Sequence, residues 1–155
     1  MPPPSLEDIV NYLPISDTVG TAGQPVAEQF AAIKLAGYEV VVNLAMPNSS
    51  NAVPNEDAIV AGLGMHYVHI PVVWEHPTPQ DLAQFFDVMA RCRGRKAFVH
   101  CALNMRVSVF MLLYRVIWQG VPLEAARKDM IQIWEPNPVW QRFMEQSLVE
   151  YGPSS

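Results

Sequence analysis

The residues with the clearest capacity for chemistry lie in one run, His100-Cys101-Ala102-Leu103-Asn104-Met105-Arg106, followed by Val107 and Ser108. A cysteine is a strong nucleophile only as its thiolate, and a free thiol with a pKa of about 8.5 holds little thiolate at neutral pH. Lowering that value by about three units takes roughly 4 kcal/mol. Three features of the run would supply it. The amides of Ala102, Leu103, Asn104, Met105 and Arg106 can converge on the sulfur. A helix expected to begin near Arg106 would turn its positive end toward it. Arg106 adds a full charge and a planar fork that grips two oxygens of an anion. The same donors would cradle phosphate, sulfate or another tetrahedral oxyanion. His100 stands where it could orient the cysteine and support its thiolate by hydrogen bonding or charge. A lone cysteine at a strand end is more often buried and inert. The company of His100 and Arg106 in the order strand, loop, helix reverses that reading.

These residues need elements to hold them. Lys96 to His100 reads as a strand leading into the cysteine, and Arg106 to Gln119 as a helix apolar nearly all round, which belongs in the middle of a core. Upstream, Ser5 and Asp8 form a capping box for a short helix carrying Leu6, Ile9, Val10 and Leu13, ended by Pro14. Asp17 to Gln24 reads as a short strand or turn, Pro25 to Ala36 as a helix with Phe30 and Ile33 inward, and Tyr38 to Leu44 as a strand covered on both faces. Pro54 opens a helix with Glu56 and Asp57 in its first turn, closed by Gly64. His66 to Val73 is a further strand. Thr78-Pro79-Gln80-Asp81 starts a helix that turns Leu82, Phe85, Phe86 and Met89 to one face. Two more helices follow Pro122 and Asn137-Pro138. Alternating strands and helices predict an α/β fold, a mostly parallel central sheet flanked by helices, in one domain over 1–155. Ligands bind such sheets beyond the carboxyl ends of the strands, where Cys101 falls.

Composition narrows the function classes. Half of the 155 residues are hydrophobic and 16% are charged, the balance of a folded domain with a substantial core. A net charge of −5 argues against a nucleic-acid partner. Arg91 to Lys96 is a basic cluster best explained as a helix C-terminus. No apolar run has transmembrane length, so no membrane partner is expected. The opening Met1-Pro2-Pro3-Pro4 lacks a signal-peptide pattern, and only Cys92 and Cys101 are present. A cytoplasmic, reducing setting is therefore expected. His66 and His69 alternate on a strand without Cys or carboxylate partners at ligand spacing; no metal and no cofactor are expected. Trp134 and Trp140 read as packing for a terminal helix.

The His100-Cys101…Arg106 run resembles the signature loop of the cysteine-dependent protein tyrosine and dual-specificity phosphatases. More closely, the chain resembles a group of small bacterial phosphatase-like proteins of that superfamily. Gly20-Thr21-Ala22-Gly23-Gln24-Pro25, Val41-Val42-Asn43-Leu44, His69-Ile70-Pro71-Val72 and His100-Cys101-Ala102 fall in the same order as similar motifs there. The resemblance implies hydrolysis of phosphate monoesters, with Cys101 attacking phosphorus to form a phosphocysteine and Arg106 holding the equatorial oxygens. It also implies that Asn43 braces the loop and that Ser108 helps the sulfur leave.

Two departures bear on that expectation. The chain has four residues between Cys101 and Arg106, one fewer than the superfamily loop, and lacks the glycine usual within it, although Asn104 can take a left-handed conformation. The general acid, usually an aspartate after the preceding strand, has Glu75 as its best candidate in Val73-Trp74-Glu75-His76-Pro77; an ordinary surface glutamate is the competing reading. Asp81 is better explained as a helix-start residue. The shorter loop keeps three alternatives open: a rhodanese-like sulfurtransferase, whose loop has this length; an inactive phosphatase fold that binds an oxyanion or phosphorylated ligand; and an oxyanion reductase, for which Cys92 stands too far along the chain.

Overall fold

The computed structural model describes residues 5–152, so the opening residues Met1 to Pro4 lie outside the described residues. Ser5 and Asp8 form the expected capping box, but on a single 3-10 turn, Leu6–Asp8. The expected helix goes no further because Ile9 is already extended (φ −73°, ψ 136°), and Asn11 then adopts a left-handed φ of 51°. Leu13–Pro14 becomes instead a short edge strand, β1, antiparallel to β2 (Val19–Ala22). A proline is tolerated there because an edge strand needs no ladder donor on its outer side.

The remaining elements are α1 (Gln29–Leu35), β3 (Val40–Asn43), α2 (Glu56–Gly62), β4 (His66–His69), α3 (Pro79–Arg91), β5 (Ala97–His100), α4 (Met105–Trp118), α5 (Leu123–Ile131) and α6 (Pro138–Tyr151). The sheet order is β1-β2-β5-β3-β4, with every pair after β1–β2 parallel. β5 is therefore central, and its carboxyl end delivers Cys101 to the middle of the sheet's upper edge. Among the described residues, no helix is long and apolar enough to cross a membrane.

Strands β2 to β5 feed two cores, because successive side chains point to opposite faces. Val40, Val42, Val99 and Cys101 join the larger core with Phe85, Phe110 and Trp140 from α3, α4 and α6. Val41 and Phe98 join the smaller one with Phe30, Ile33 and Val60 from α1 and α2. α4 is buried continuously from Arg106 to Tyr114, as its all-round apolar sequence requires. Thr78 and Asp81 exchange the two hydrogen bonds of a capping box at the start of α3, which settles Asp81 as a helix-start residue. Trp140 is fully buried and donates its indole N–H to the Trp74 carbonyl at 2.8 Å. Trp74 in turn packs against the Trp134 and Trp140 rings. The tryptophans are packing residues as expected, and what they pack is the segment carrying Glu75.

Candidate active site

The loop from Cys101 to Arg106 is arranged by its carbonyls. Ala102 O accepts from Gln24 N at 3.0 Å and from Asn51 Nδ2 at 3.1 Å. Leu103 O accepts from Asn11 Nδ2 at 2.9 Å. Asn104 O accepts from Ser108 N at 2.8 Å, and Met105 O from the Ser108 hydroxyl at 2.6 Å. With these acceptors occupied from outside, the amides of Ala102 and Leu103 find no hydrogen-bond acceptor among the described residues. Met105, Arg106 and Val107 form the first turn of α4, where amides have no intrahelical acceptor. Unpaired donors are thus present on both sides of the Asn104 turn, between β5 and α4.

Asn104 makes the turn that permits this. It is fully buried with a φ of 67°, and its side-chain amide donates to Asn11 O at 2.9 Å and Thr21 Oγ1 at 3.1 Å. The left-handed conformation expected of Asn104 is present. Gly23 lets the β2 end come close: a Cβ there would meet Ala102 O at 2.7 Å and Leu103 Cα at 3.0 Å.

Arg106 is 6% exposed and has no carboxylate partner among the described residues. One guanidinium nitrogen donates to Val72 O at 2.9 Å, and the guanidinium lies 5.8 Å from the Trp74 ring centroid. Its Nε–H is buried with no acceptor among the described residues. Such a donor carries a desolvation cost of about 1–3 kcal/mol that a bound oxyanion would remove. An open cleft of about 310 Å³ reaches Arg106 between the segments 46–49 and 73–75. Glu75 is exposed and lines the same cleft, so the structure brings the acid candidate and the arginine together. Cys101 is 1% exposed, belongs to the larger core and does not line this cleft.

The expected roles of Asn43 and Ser108 need correction, and that of His100 is confined to the Cys101 backbone. His100 does not touch the sulfur: adjacent strand residues point to opposite faces, and its ring lies in the smaller core, edge-on to Phe30. Its Nε2 is 2.7 Å from Glu56 Oε2 and its Nδ1 is 3.3 Å from the Cys101 carbonyl. Asn43 braces a different loop, its Oδ1 accepting from Ala45 N at 2.8 Å and its Nδ2 donating to Tyr67 at 3.0 Å. The Ser108 hydroxyl is engaged by other groups, donating to Met105 O and accepting from Trp134 Nε1 at 2.9 Å. It fastens α4 to the tryptophan cluster and stabilises the loop's last carbonyl.

Sequence reasoning missed Glu56, which looked like an ordinary first-turn acid and is 5% exposed. Asn11 and Asn51 were missed as well, since nothing in a loop asparagine says which distant carbonyl it meets. Burial pushes the Tyr67 phenol up to about 12, with Asn43's hydrogen bond pulling the other way and Glu56 adding to the rise. His69 Nε2 lies 2.6 Å from Ala45 O, an ordinary structural contact. No group of metal-ligating side chains gathers among the described residues. Cys92 ends α3 at the opposite end of β5, where burial pushes its thiol up. Both cysteines are free.

No family model matches the sequence. The structure superposes on the crystal structure of a DUF442 protein from Shewanella putrefaciens CN-32, provisionally classed as a phosphatase. The TM-score is 0.86 and the identity 32%, covering 96% of this chain and 97% of that one. The chain belongs to the DUF442 family. DUF442 has the cysteine-phosphatase fold: a kinase-associated phosphatase, with its catalytic cysteine replaced by serine, superposes at a TM-score of 0.80 and 11% identity. That match covers 96% of this chain and 99% of the other. Among curated proteins, beta-lactamase hydrolase-like proteins from two strains of Xylella fastidiosa are 27% identical over 106 residues, 66% of this chain. The match spans 24% of the length of those relatives. The resemblance read from the motifs is therefore correct for family and fold.

The Asn104 turn generates a prediction. Asn104→Ala and Asn104→Gly both lose the hydrogen bonds to Asn11 and Thr21, but only alanine is strained at a left-handed φ. Urea unfolding is expected to find the alanine variant less stable than the glycine variant by about 1 kcal/mol. Equal stabilities would mean that the turn does not need that conformation.

Proposed function

We propose that this DUF442 protein is a cysteine-dependent phosphatase acting on phosphate monoesters. The observation that carries the reading is the set of unpaired donors, the Ala102 and Leu103 amides and the Arg106 Nε–H, on the loop and helix start that follow a cysteine at the head of the central strand. Cradles of fixed donors stabilise the charge that develops on a transferring phosphoryl group and need no reorganisation as it forms. In the proposed reaction the Cys101 thiolate attacks phosphorus, a sulfur–phosphorus bond forms, and the ester oxygen leaves with a proton from Glu75. Water then attacks the phosphocysteine and gives a proton to Glu75. Phosphate leaves and the thiolate is restored. Arg106 holds two equatorial oxygens throughout. The amides of Ala102, Leu103, Asn104, Met105 and Arg106 are the proposed phosphate ligands, and Ser108 has no direct part.

The phosphatase fold of the neighbours supports this class of reaction. Pseudomonas aeruginosa TpbA, 17% identical at a TM-score of 0.65, has been crystallised with phosphotyrosine. A tyrosine or dual-specificity type is our proposal for this chain, not a property carried over from that protein. The deep burial of Cys101 favours one other reading, an oxyanion-binding module with little or no turnover.

Hydrolysis of an aryl phosphate from pH 5 to 8 separates the two. Turnover is expected in the wild type and none in Cys101→Ser; wild-type turnover in the serine variant, or none in either protein, contradicts the proposal. Arg106→Lys replaces the fork with a point charge and is expected to lower kcat by about 10²–10³-fold. Glu75→Gln is expected to lower kcat by about 10²-fold or more and to abolish the fall in rate at high pH, because only the protonated acid serves the leaving group. A fall that survives in Glu75→Gln rules Glu75 out as the acid.

A further inference from the structure

Two buried titratable side chains have no part in the reaction above. His100 is fully buried and Glu56 is 5% exposed, on the face of β5 opposite the Cys101 sulfur. Burying a carboxylate is costly unless it is paired and hydrogen-bonded. Glu56 meets both conditions: Oε2 faces His100 Nε2 at 2.7 Å and Oε1 accepts from Gln24 Nε2 at 2.7 Å. It is delivered by an unusual helix start. Asn55 precedes α2 with a left-handed φ of 61° and gives no side-chain cap, and the first helical residue turns inward where a first-turn acid normally faces water.

The other ring nitrogen of His100 lies 3.3 Å from the Cys101 carbonyl. Both nitrogens therefore face oxygen atoms, an arrangement in which a doubly protonated imidazole donates to a Glu56 carboxylate and to the carbonyl at once. We infer that Glu56 is a positioning residue for the nucleophile: its carboxylate holds the His100 ring as a cation against the Cys101 backbone, which fixes that carbonyl and places positive charge beside the thiolate. The effect passes through backbone and field, since the ring and the sulfur lie on opposite faces of the strand. Gln24 and Tyr67 complete the setting. Gln24 belongs to the segment whose amide also holds Ala102 O, so one short stretch after β2 fixes both the pair and the loop. The charged and titratable groups at this junction are Glu56 and Asp57 from α2 and Tyr67 from β4; α1 contributes the Phe30 ring.

The inference rests on Cys101 being the nucleophile, and its test does not use turnover. Thiolate ultraviolet absorbance, with Cys101→Ser as the blank, is titrated in the wild type, Glu56→Gln and Glu56→Asp. The nitrogen NMR shifts of the His100 ring are followed in the wild type. The ring is expected to be doubly protonated wherever Cys101 is a thiolate. Glu56→Gln is expected to move the thiolate titration up by about one pH unit, roughly a tenfold loss of thiolate below the midpoint, and Glu56→Asp to recover most of it. A neutral ring in the wild type, or an unmoved titration in a folded Glu56→Gln protein, overturns the inference. Should Glu56→Gln fail to fold, the wild-type ring shifts decide alone. The expected titrations in a protein without phosphatase turnover would refute the phosphatase reading and leave the positioning role standing.

Discussion

A loop can present its amides inward only if its carbonyls are accommodated outside, and most of this fold's irregular features serve that requirement. Three separated segments supply the donors: Asn11 from the turn before β1, Gln24 from the end of β2 and Asn51 from the loop after β3. Ser108 supplies the fourth from within α4. Net hydrogen bonds of this kind contribute about 1 kcal/mol each, so together they bias the loop toward this geometry. Gly23 and the left-handed Asn104 are the steric side of the same constraint.

The residue missing from the loop relative to the wider superfamily falls within this frame. Asn104 takes over the turn that a glycine would make and adds side-chain hydrogen bonds that a glycine could not. The shorter path still leaves Ala102, Leu103 and the first turn of α4 with free amides. Arg106 remains at the wall of the cleft because Val72 O and the Trp74 face fix its guanidinium from one side. The tryptophan cluster is therefore tied to the site indirectly, since it seats the 73–75 segment that carries Glu75 into the cleft.

Much of this was legible in the residues. The run from Lys96 through Cys101 into an apolar helix specified a strand, loop and buried helix by its order and apolar content, and the Thr78–Asp81 box marked the start of α3. Alternation along β5 also implied that His100 and Cys101 face opposite ways, although the pairing of their names in the motif suggested contact. Other features depend on distant partners. Glu56 and His100 are 44 positions apart, and Asn11 and Leu103 are 92 apart. No local pattern distinguishes an inward Glu56 from a solvated one. β1 was hidden because Leu13 and Pro14 also fit the end of an amphipathic helix, and a two-residue edge strand leaves no period to read.

The central claim is that Cys101 becomes covalently phosphorylated within this cradle. Rapid acid quenching after mixing with an aryl phosphate, followed by mass spectrometry of the digested protein, tests it most directly. The account predicts a phosphoryl group on the peptide carrying Cys101, formed during the first turnover and absent in Cys101→Ser. Substrate hydrolysis with no label on that peptide, or with the label on another residue, would contradict it.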